Sequence, residues 1–139
     1  MNTGLRASLE SIVGARWVRH RRAELATYTM DGLPTHEEWP GLVVLPGNRE
    51  ELIAVVRQLH EAEVPFVARG AGTGLSGGAL AGEAMVLVTL TRLNRVLHVD
   101  PVRRRAVVEP GVVNARLSDA TASGWPSSST SSTAAASVG

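Results

Sequence analysis

"VPFVARGAGTGLSGGALAGEAMVLV", Val64 to Val88, places six glycines between two apolar runs and contains Gly72-Thr73-Gly74-Leu75-Ser76-Gly77, a literal G-x-G-x-x-G. A nicotinamide-type dinucleotide site needs that pattern between a strand and a helix whose N-terminus receives the pyrophosphate, followed by a second parallel strand. The strand is present as Val64 to Ala68, but only residues 78–84 separate Gly77 from the next apolar run at Met85. A parallel crossover takes about a dozen residues or more. Gly78 and Gly82 would also cost a helix there about 1 kcal/mol each. The acidic residue expected about 20 positions on falls near Asn94, and the nearest aspartate, Asp100, stands before a proline. The stretch is therefore read as strand, bare-backbone loop and strand, not as a nicotinamide fingerprint.

Repeated glycine permits positive φ and lets successive backbone N–H groups converge on one anion without a helix dipole. Thr73 and Ser76 would add hydroxyl donors to such a cradle. Arg69 would either neutralise a phosphate or fix the loop by ion pairing. A flexible surface loop is the plainer alternative, but it does not explain why Gly70, Gly72, Gly74, Gly77 and Gly78 follow directly on a buried strand end.

Upstream, "LVVLP" (Leu42 to Pro46) reads as a buried strand bounded by Gly41 and Pro46. Asn48 caps a helix with Glu50 and Glu51 in its first turn and an apolar stripe of Leu52, Val55, Val56 and Leu59. Strand, helix and the strand at Val64 make a βαβ unit with parallel strands. Leu5, Leu9, Ile12 and Val13 predict a short amphipathic helix ended by Gly14, and Thr29 to Pro34 reads as a loop. The basic run Arg16 to Arg22 is read as a solvated surface.

Downstream, "MVLVTL" (Met85 to Leu90), "RVLHVD" (Arg95 to Asp100) and "RAVVEP" (Arg105 to Pro110) are strand-like runs joined by connections too short for crossover helices. All three are expected to be antiparallel. Asp100 to Arg104 is read as a hairpin turn and Val112 to Ala122 as a helix over Val113 and Leu117. Ser123 to Gly139, dominated by Ser, Thr and Ala, reads by composition as a low-complexity tail.

Composition excludes several chemistries. The 139 residues carry 14 basic and 13 acidic side chains, a net charge of +1, which gives no general attraction to nucleic acid. All the basic residues are arginine, so neither a P-loop lysine nor a Schiff-base lysine is available. Without cysteine there is no disulfide, thiolate nucleophile or Cys-ligated metal site. His20, His36, His60 and His98 match no metal spacing, and no metal is expected. No stretch approaches the roughly 20 apolar residues of a membrane span.

"PFVARGAGTGLSGGA" resembles the first flavin-binding loop of FAD-linked oxidases of the vanillyl-alcohol oxidase and p-cresol methylhydroxylase superfamily. "ARGAGTGLSGGA" is most similar to the branch holding the glycolate oxidase catalytic subunit and D-lactate dehydrogenase. The likeness runs from about Tyr28 to the end, through "VVLPGNREELIAVVRQLHEAEVPFVARGAGTGLSGGA", "VTLTRLNRVLHVD" and "AVVEPGVVNARL".

The resemblance implies an α+β fold of the p-cresol methylhydroxylase type: a small parallel βαβ subdomain followed by mainly antiparallel strands, here truncated, with FAD as the cofactor. Residues 1–27 would form an N-terminal helical segment and residues 28–139 the FAD-binding domain, lacking its C-terminal part and the substrate domain. Arg69, Gly70, Ala71, Gly72, Thr73, Gly74, Leu75, Ser76, Gly77 and Gly78 would surround the FAD pyrophosphate. Pro110 and Gly111 match a "PGV" element that lines the flavin. "SSTAAASVG" (Ser131 to Gly139) is similar to the start of a second flavin strip, which adds Ser137, Val138 and Gly139 to the cofactor residues. Just before it, "GWPSSST" replaces the aromatic and Asp-Pro residues usual there, and a truncated gene product is the expectation. Some relatives carry a loop histidine that links to the flavin; Thr73 follows Gly72 here, so the resemblance implies non-covalent FAD.

The implied function is the FAD-binding portion of an oxidoreductase acting on a small 2-hydroxy acid such as glycolate or D-lactate, cytoplasmic, with peripheral membrane association and partner subunits left open. The alternatives are a fragment of an FAD-dependent ether-lipid synthase and an inert fragment without cofactor. No catalytic residue is assigned, because the groups that bind the substrate belong to the absent domain.

Overall fold

The computed structural model describes residues 3–32, 36–74 and 77–122. The readings placed on Leu33 to Thr35, Leu75, Ser76 and residues 123–139, Ser137 to Gly139 among them, lie outside the described residues. The chain divides into two compact units, residues 1–92 and 93–139.

In the first unit, helix α1 (Thr3–Val13) buries Leu5, Leu9 and Val13 and stops at Gly14, whose φ of 87° suits a residue without a side chain. Strand β1 (Val18–Arg19) is followed by the single turn α2 (Arg22–Leu25) and strand β2 (Leu42–Val44). Helix α3 (Arg49–Glu61) begins as its sequence demands. The Asn48 Oδ1 accepts from the Glu51 N–H at 2.8 Å, and the Glu51 carboxylate accepts from the Gly47 N–H at 2.7 Å, so two donors at the helix start are satisfied. Strands β3 (Phe66–Arg69) and β4 (Val86–Thr89) complete a sheet of order β1-β2-β4-β3.

One face of this sheet packs Leu42, Val44, Val86 and Val88 against α1 and α3, where Val55 and Leu59 are fully buried. Each such aliphatic side chain contributes about 1.5–3 kcal/mol by leaving water. The other face packs Val43, Leu45 and Leu87 against Leu25 and Ala81, with Tyr28, Trp39, Val67 and Met85 at its margin. The period-2 alternation of a strand assigns each residue to one of these two layers.

Two expectations are corrected. Strand β4 is parallel, not antiparallel: it lies between β2 and β3 with Val86 opposite both Leu42 and Phe66. The described residues of the 70–85 connection contain no helix, yet a four-residue strand spans only about 13 Å, so a connection of that length returns the chain to the other end of the sheet. A parallel return requires length, and a helix is only the commonest way to supply it. The second correction concerns Arg16 to Arg22. Val18 and Arg19 form an edge strand antiparallel to β2, and Val18 is buried opposite Val44. Arg19 and its neighbours charge that edge, which discourages pairing with another chain.

In the second unit, β5 (Val96–Asp100) and β6 (Arg105–Val108) form an antiparallel hairpin with a bulge between Val96 and His98. Its turn is closed by the Arg103 N–H donating to the Asp100 Oδ1 at 3.0 Å. Beyond β6, the Glu109 carboxylate accepts from the Arg95 N–H and guanidinium, each at 2.8 Å. Helix α4 (Asn114–Thr121) follows, and the Arg116 guanidinium donates to the Asn94 carbonyl at 3.0 Å. His98 is exposed on β5.

Candidate functional site

The glycine loop leaves the carboxyl end of β3, the end at which open sheets with parallel strands bind their ligands. Its first fixed point is Arg69, the last residue of β3, which is only 7% exposed. The guanidinium donates to the Met30 carbonyl at 2.8 Å and, at 3.4 Å each, to the carbonyls of Tyr28 and Ala79, and it lies 5.9 Å from the Tyr28 ring centroid. Among the described residues its hydrogen-bond partners are all main-chain carbonyls. Of the two roles the sequence offered for Arg69, the geometry supplies loop fixation, but through carbonyls instead of an ion pair. A planar guanidinium with five donors serves several acceptors at once, which an ammonium does not.

Gly72 owes its identity to this arginine. Its φ is +71°, and a Cβ there would lie 2.5 Å from the Arg69 Nε, inside the guanidinium itself. The tip of the loop is pinned from the opposite strap, Tyr28 to Gly32. The Gly32 N–H donates to the Gly74 carbonyl at 3.0 Å, and the Thr73 carbonyl oxygen faces Gly32 more closely than its carbon does. Because carbonyl and following N–H point in opposite directions across a trans peptide, the Gly74 N–H is directed away from the strap.

Among the described residues, a Cβ at Gly74, Gly77 or Gly78 would meet nothing within 4 Å, and Gly77 adopts φ +70°. These three glycines have open space where a side chain would stand, while the Gly74 and Ala79 carbonyls are tied back by the Gly32 N–H and the Arg69 guanidinium. Thr73 and Ala71 are exposed, and Gly70 is half-buried. Thr89, the register partner of Arg69, is 2% exposed, and its Oγ1 has no hydrogen-bond partner among the described residues.

Pro110 and Gly111 belong to the second unit. Pro110 is exposed, and the Gly111 N–H donates to the Leu93 carbonyl at 2.7 Å, which fixes the turn after Glu109. Sequence reasoning missed Gly32 and the carbonyls of Tyr28 and Met30. The Asp31-Gly32 dipeptide was their one signal, and by itself it says only turn. Among the described residues no three His, Asp or Glu side chains gather as metal ligands, and no helix is long and apolar enough to cross a membrane.

Comparison with known proteins identifies the family. A family model described as FAD binding domain matches residues 40–139. The chain is 42% identical over 120 residues to the glycolate oxidase subunit GlcD of Escherichia coli (strain K12), covering 86% of this chain and 24% of that protein. It is 38% identical over 79 residues to a D-lactate dehydrogenase of Archaeoglobus fulgidus, covering 57% of this chain and 18% of the relative. The chain thus spans about a quarter or less of the length of these curated relatives. Among solved structures, p-cresol methylhydroxylase with substrate bound superposes with a TM-score of 0.74 at 21% identity, over 88% of this chain and 25% of that one. An alkyldihydroxyacetonephosphate synthase superposes with a TM-score of 0.75 at 21% identity and the same coverage. Both structural likenesses speak to fold alone. The chain belongs to the FAD binding domain family, in the p-cresol methylhydroxylase-type flavin fold.

Proposed function

We propose that this chain is the FAD-binding portion of a flavin-dependent oxidoreductase acting on a 2-hydroxy acid such as glycolate or D-lactate, with residues 28–139 contributing to the flavin domain and FAD held non-covalently. The observation that supports the reading is the uncrowded glycine loop: a Cβ on Gly74, Gly77 or Gly78 would meet open space, while Arg69 and Gly32 hold the Ala79 and Gly74 carbonyls. Backbone donors preorganised in this way bind a pyrophosphate without a lysine, and the chain has none.

Bound FAD would accept the hydride equivalent released by the carbon that bears the substrate hydroxyl. The chain's own contribution is binding and orientation. The amides of Gly70 to Gly74, with Gly77, Gly78 and the Thr73 hydroxyl, would hold the pyrophosphate. Pro110, Gly111 and the strip ending in Ser137, Val138 and Gly139 are proposed as further flavin contacts. Thr73 follows Gly72 and no histidine occurs in residues 70–78, which supports non-covalent attachment. Groups that bind a substrate carboxylate or accept its hydroxyl proton are not assigned to this chain. A cytoplasmic location and partner subunits go with this reading. The 42% identity to a glycolate oxidase subunit favours it over an ether-lipid synthase, for which the support is a shared fold.

The test is a titration of the full chain with FAD, followed by acid precipitation. Saturable binding with a shifted flavin absorbance band, and full release of flavin into the acid supernatant, is the expected result. Absence of saturable binding would overturn the proposal, and flavin retained in the pellet would overturn its non-covalent part.

A further inference from the structure

We infer that Gly32 is a positioning residue for the pyrophosphate loop, holding the Thr73–Gly74 peptide so that the Gly74 N–H faces the ligand; this rests on the FAD reading above. A Cβ at position 32 would stand 2.6 Å from the Thr73 carbonyl oxygen and 2.8 Å from that of Gly74. Both obstacles are main chain, which cannot swing aside as the end of a side chain can. The strap that carries Gly32 cannot withdraw freely either. Its Tyr28 and Met30 carbonyls are gripped by Arg69, and the Thr29 carbonyl accepts from the Glu38 N–H at 2.9 Å.

The Thr73–Gly74 peptide is therefore pressed against the strap, while a Cβ on Gly74 itself would meet nothing within 4 Å among the described residues, which leaves the loop an open side. Bulk added at position 32 drives the loop toward its open side, into the volume the pyrophosphate requires, and turns the Gly74 amide from its direction. The backbone at Gly32 lies outside the positive-φ region, which among the described glycines is confined to Gly14, Gly72 and Gly77. Alanine there thus meets no left-handed backbone penalty, and its effect on FAD binding, unlike its effect on stability, is free of the unfolded-chain entropy and reports the contact with the loop.

The full chain and its Gly32→Ala variant would be titrated with FAD, and the 31P resonances of bound FAD recorded for both. Gly82→Ala serves as control, since a Cβ there comes no nearer than 3.9 Å to the Glu38 carboxylate. Gly32→Ala is expected to weaken FAD binding by about tenfold or more, as misdirected donors to a charged phosphate do, and to shift the 31P resonances; the control leaves both unchanged. A merely structural role would lower thermal stability without moving the 31P signature. An unaltered Kd in Gly32→Ala, beside clear binding by the unaltered chain, overturns the inference alone. No binding by the unaltered chain overturns the reading beneath it as well. Should the variant fail to fold, hydrogen exchange on the unaltered chain decides: FAD is expected to slow exchange in residues 28–32, and unchanged exchange there overturns the inference.

Discussion

The guanidinium of Arg69 occupies the space in which Gly72 would carry a side chain, so the last residue of β3 and the third residue of the loop are fitted to one another. Gly72→Ala meets two penalties, a positive φ and a collision with a buried group. The expected loss of stability is about 1–3 kcal/mol. Thermal unfolding of the variant in the absence of FAD checks it, and an unchanged Tm would show that Arg69 has another place to go.

Arg69→Met removes the donor shared by the carbonyls of Tyr28, Met30 and Ala79 while keeping much of the buried aliphatic volume. Leaving such acceptors without a partner costs about 1–3 kcal/mol for each that water cannot reach. The variant is expected to lose stability and FAD affinity together. Arg69→Lys recovers part of each, because one ammonium reaches fewer of the three acceptors. If Arg69 instead touched phosphate, the lysine variant would retain FAD affinity with its salt dependence intact, and titrations at two ionic strengths distinguish the cases.

Local signals in the sequence foretold most of this architecture. The stripe of α3, its Asn48 cap, the Gly14 stop of α1 and the β5–β6 hairpin are all written in residues a few positions apart, which is why they were legible. What failed to show were facts settled across long separations. The polarity of β4 depends on where the connection over residues 70–85 lands, and β1 contains one apolar residue, Val18, whose burial is decided by Val44 in a later strand. The site divides in the same way. The bareness of the glycine loop was visible in sequence, but its backing at Gly32 was not, because a glycine chosen for contact with a chain segment some 40 positions on looks like any turn glycine.

Gly47 offers a contrast to Gly32. A Cβ at position 47 would lie 2.5 Å from the Arg92 Cζ, but this obstacle is the end of a long side chain that is 27% exposed. Arg92 can move aside at the cost of its 2.7 Å hydrogen bond to the Leu45 carbonyl and its place 3.7 Å from the Trp17 ring centroid. Gly47→Ala is accordingly expected to cost about 1 kcal/mol. A Tm drop as large as that of Gly72→Ala would contradict this.

The Asn48 cap is separable from both. Asn48→Ala leaves the Glu51 N–H without its 2.8 Å acceptor and is expected to destabilise the chain by about 1 kcal/mol. Asn48→Asp keeps the acceptor and adds a negative charge at the helix start, so it is expected to match or exceed the parent. Chemical denaturation of the three proteins gives the order, and equal stability of the alanine variant would remove the cap from the account.

Acid should loosen the second unit through Glu109. Its carboxylate is held below the usual glutamate range chiefly by the hydrogen bond from the Arg95 guanidinium, and also by the Arg95 N–H, with burial opposing both. A carboxyl whose folded pKa is depressed contributes stability that is fully present above its unfolded value, about 4.3, and is lost as the pH falls through the lower folded value. Stability should therefore be flat with respect to this group near neutrality and decline below about pH 4. Asp100, lowered mainly by the Arg103 N–H, adds a decline of the same sign at the hairpin turn. Glu109→Gln keeps the shape but not the charge, and it is expected to weaken the unit at neutral pH and flatten the acid limb. Hydrogen exchange of the β5–β6 amides against pH measures this unit separately, and a variant whose acid limb matched that of the parent would show that Glu109 contributes nothing to it.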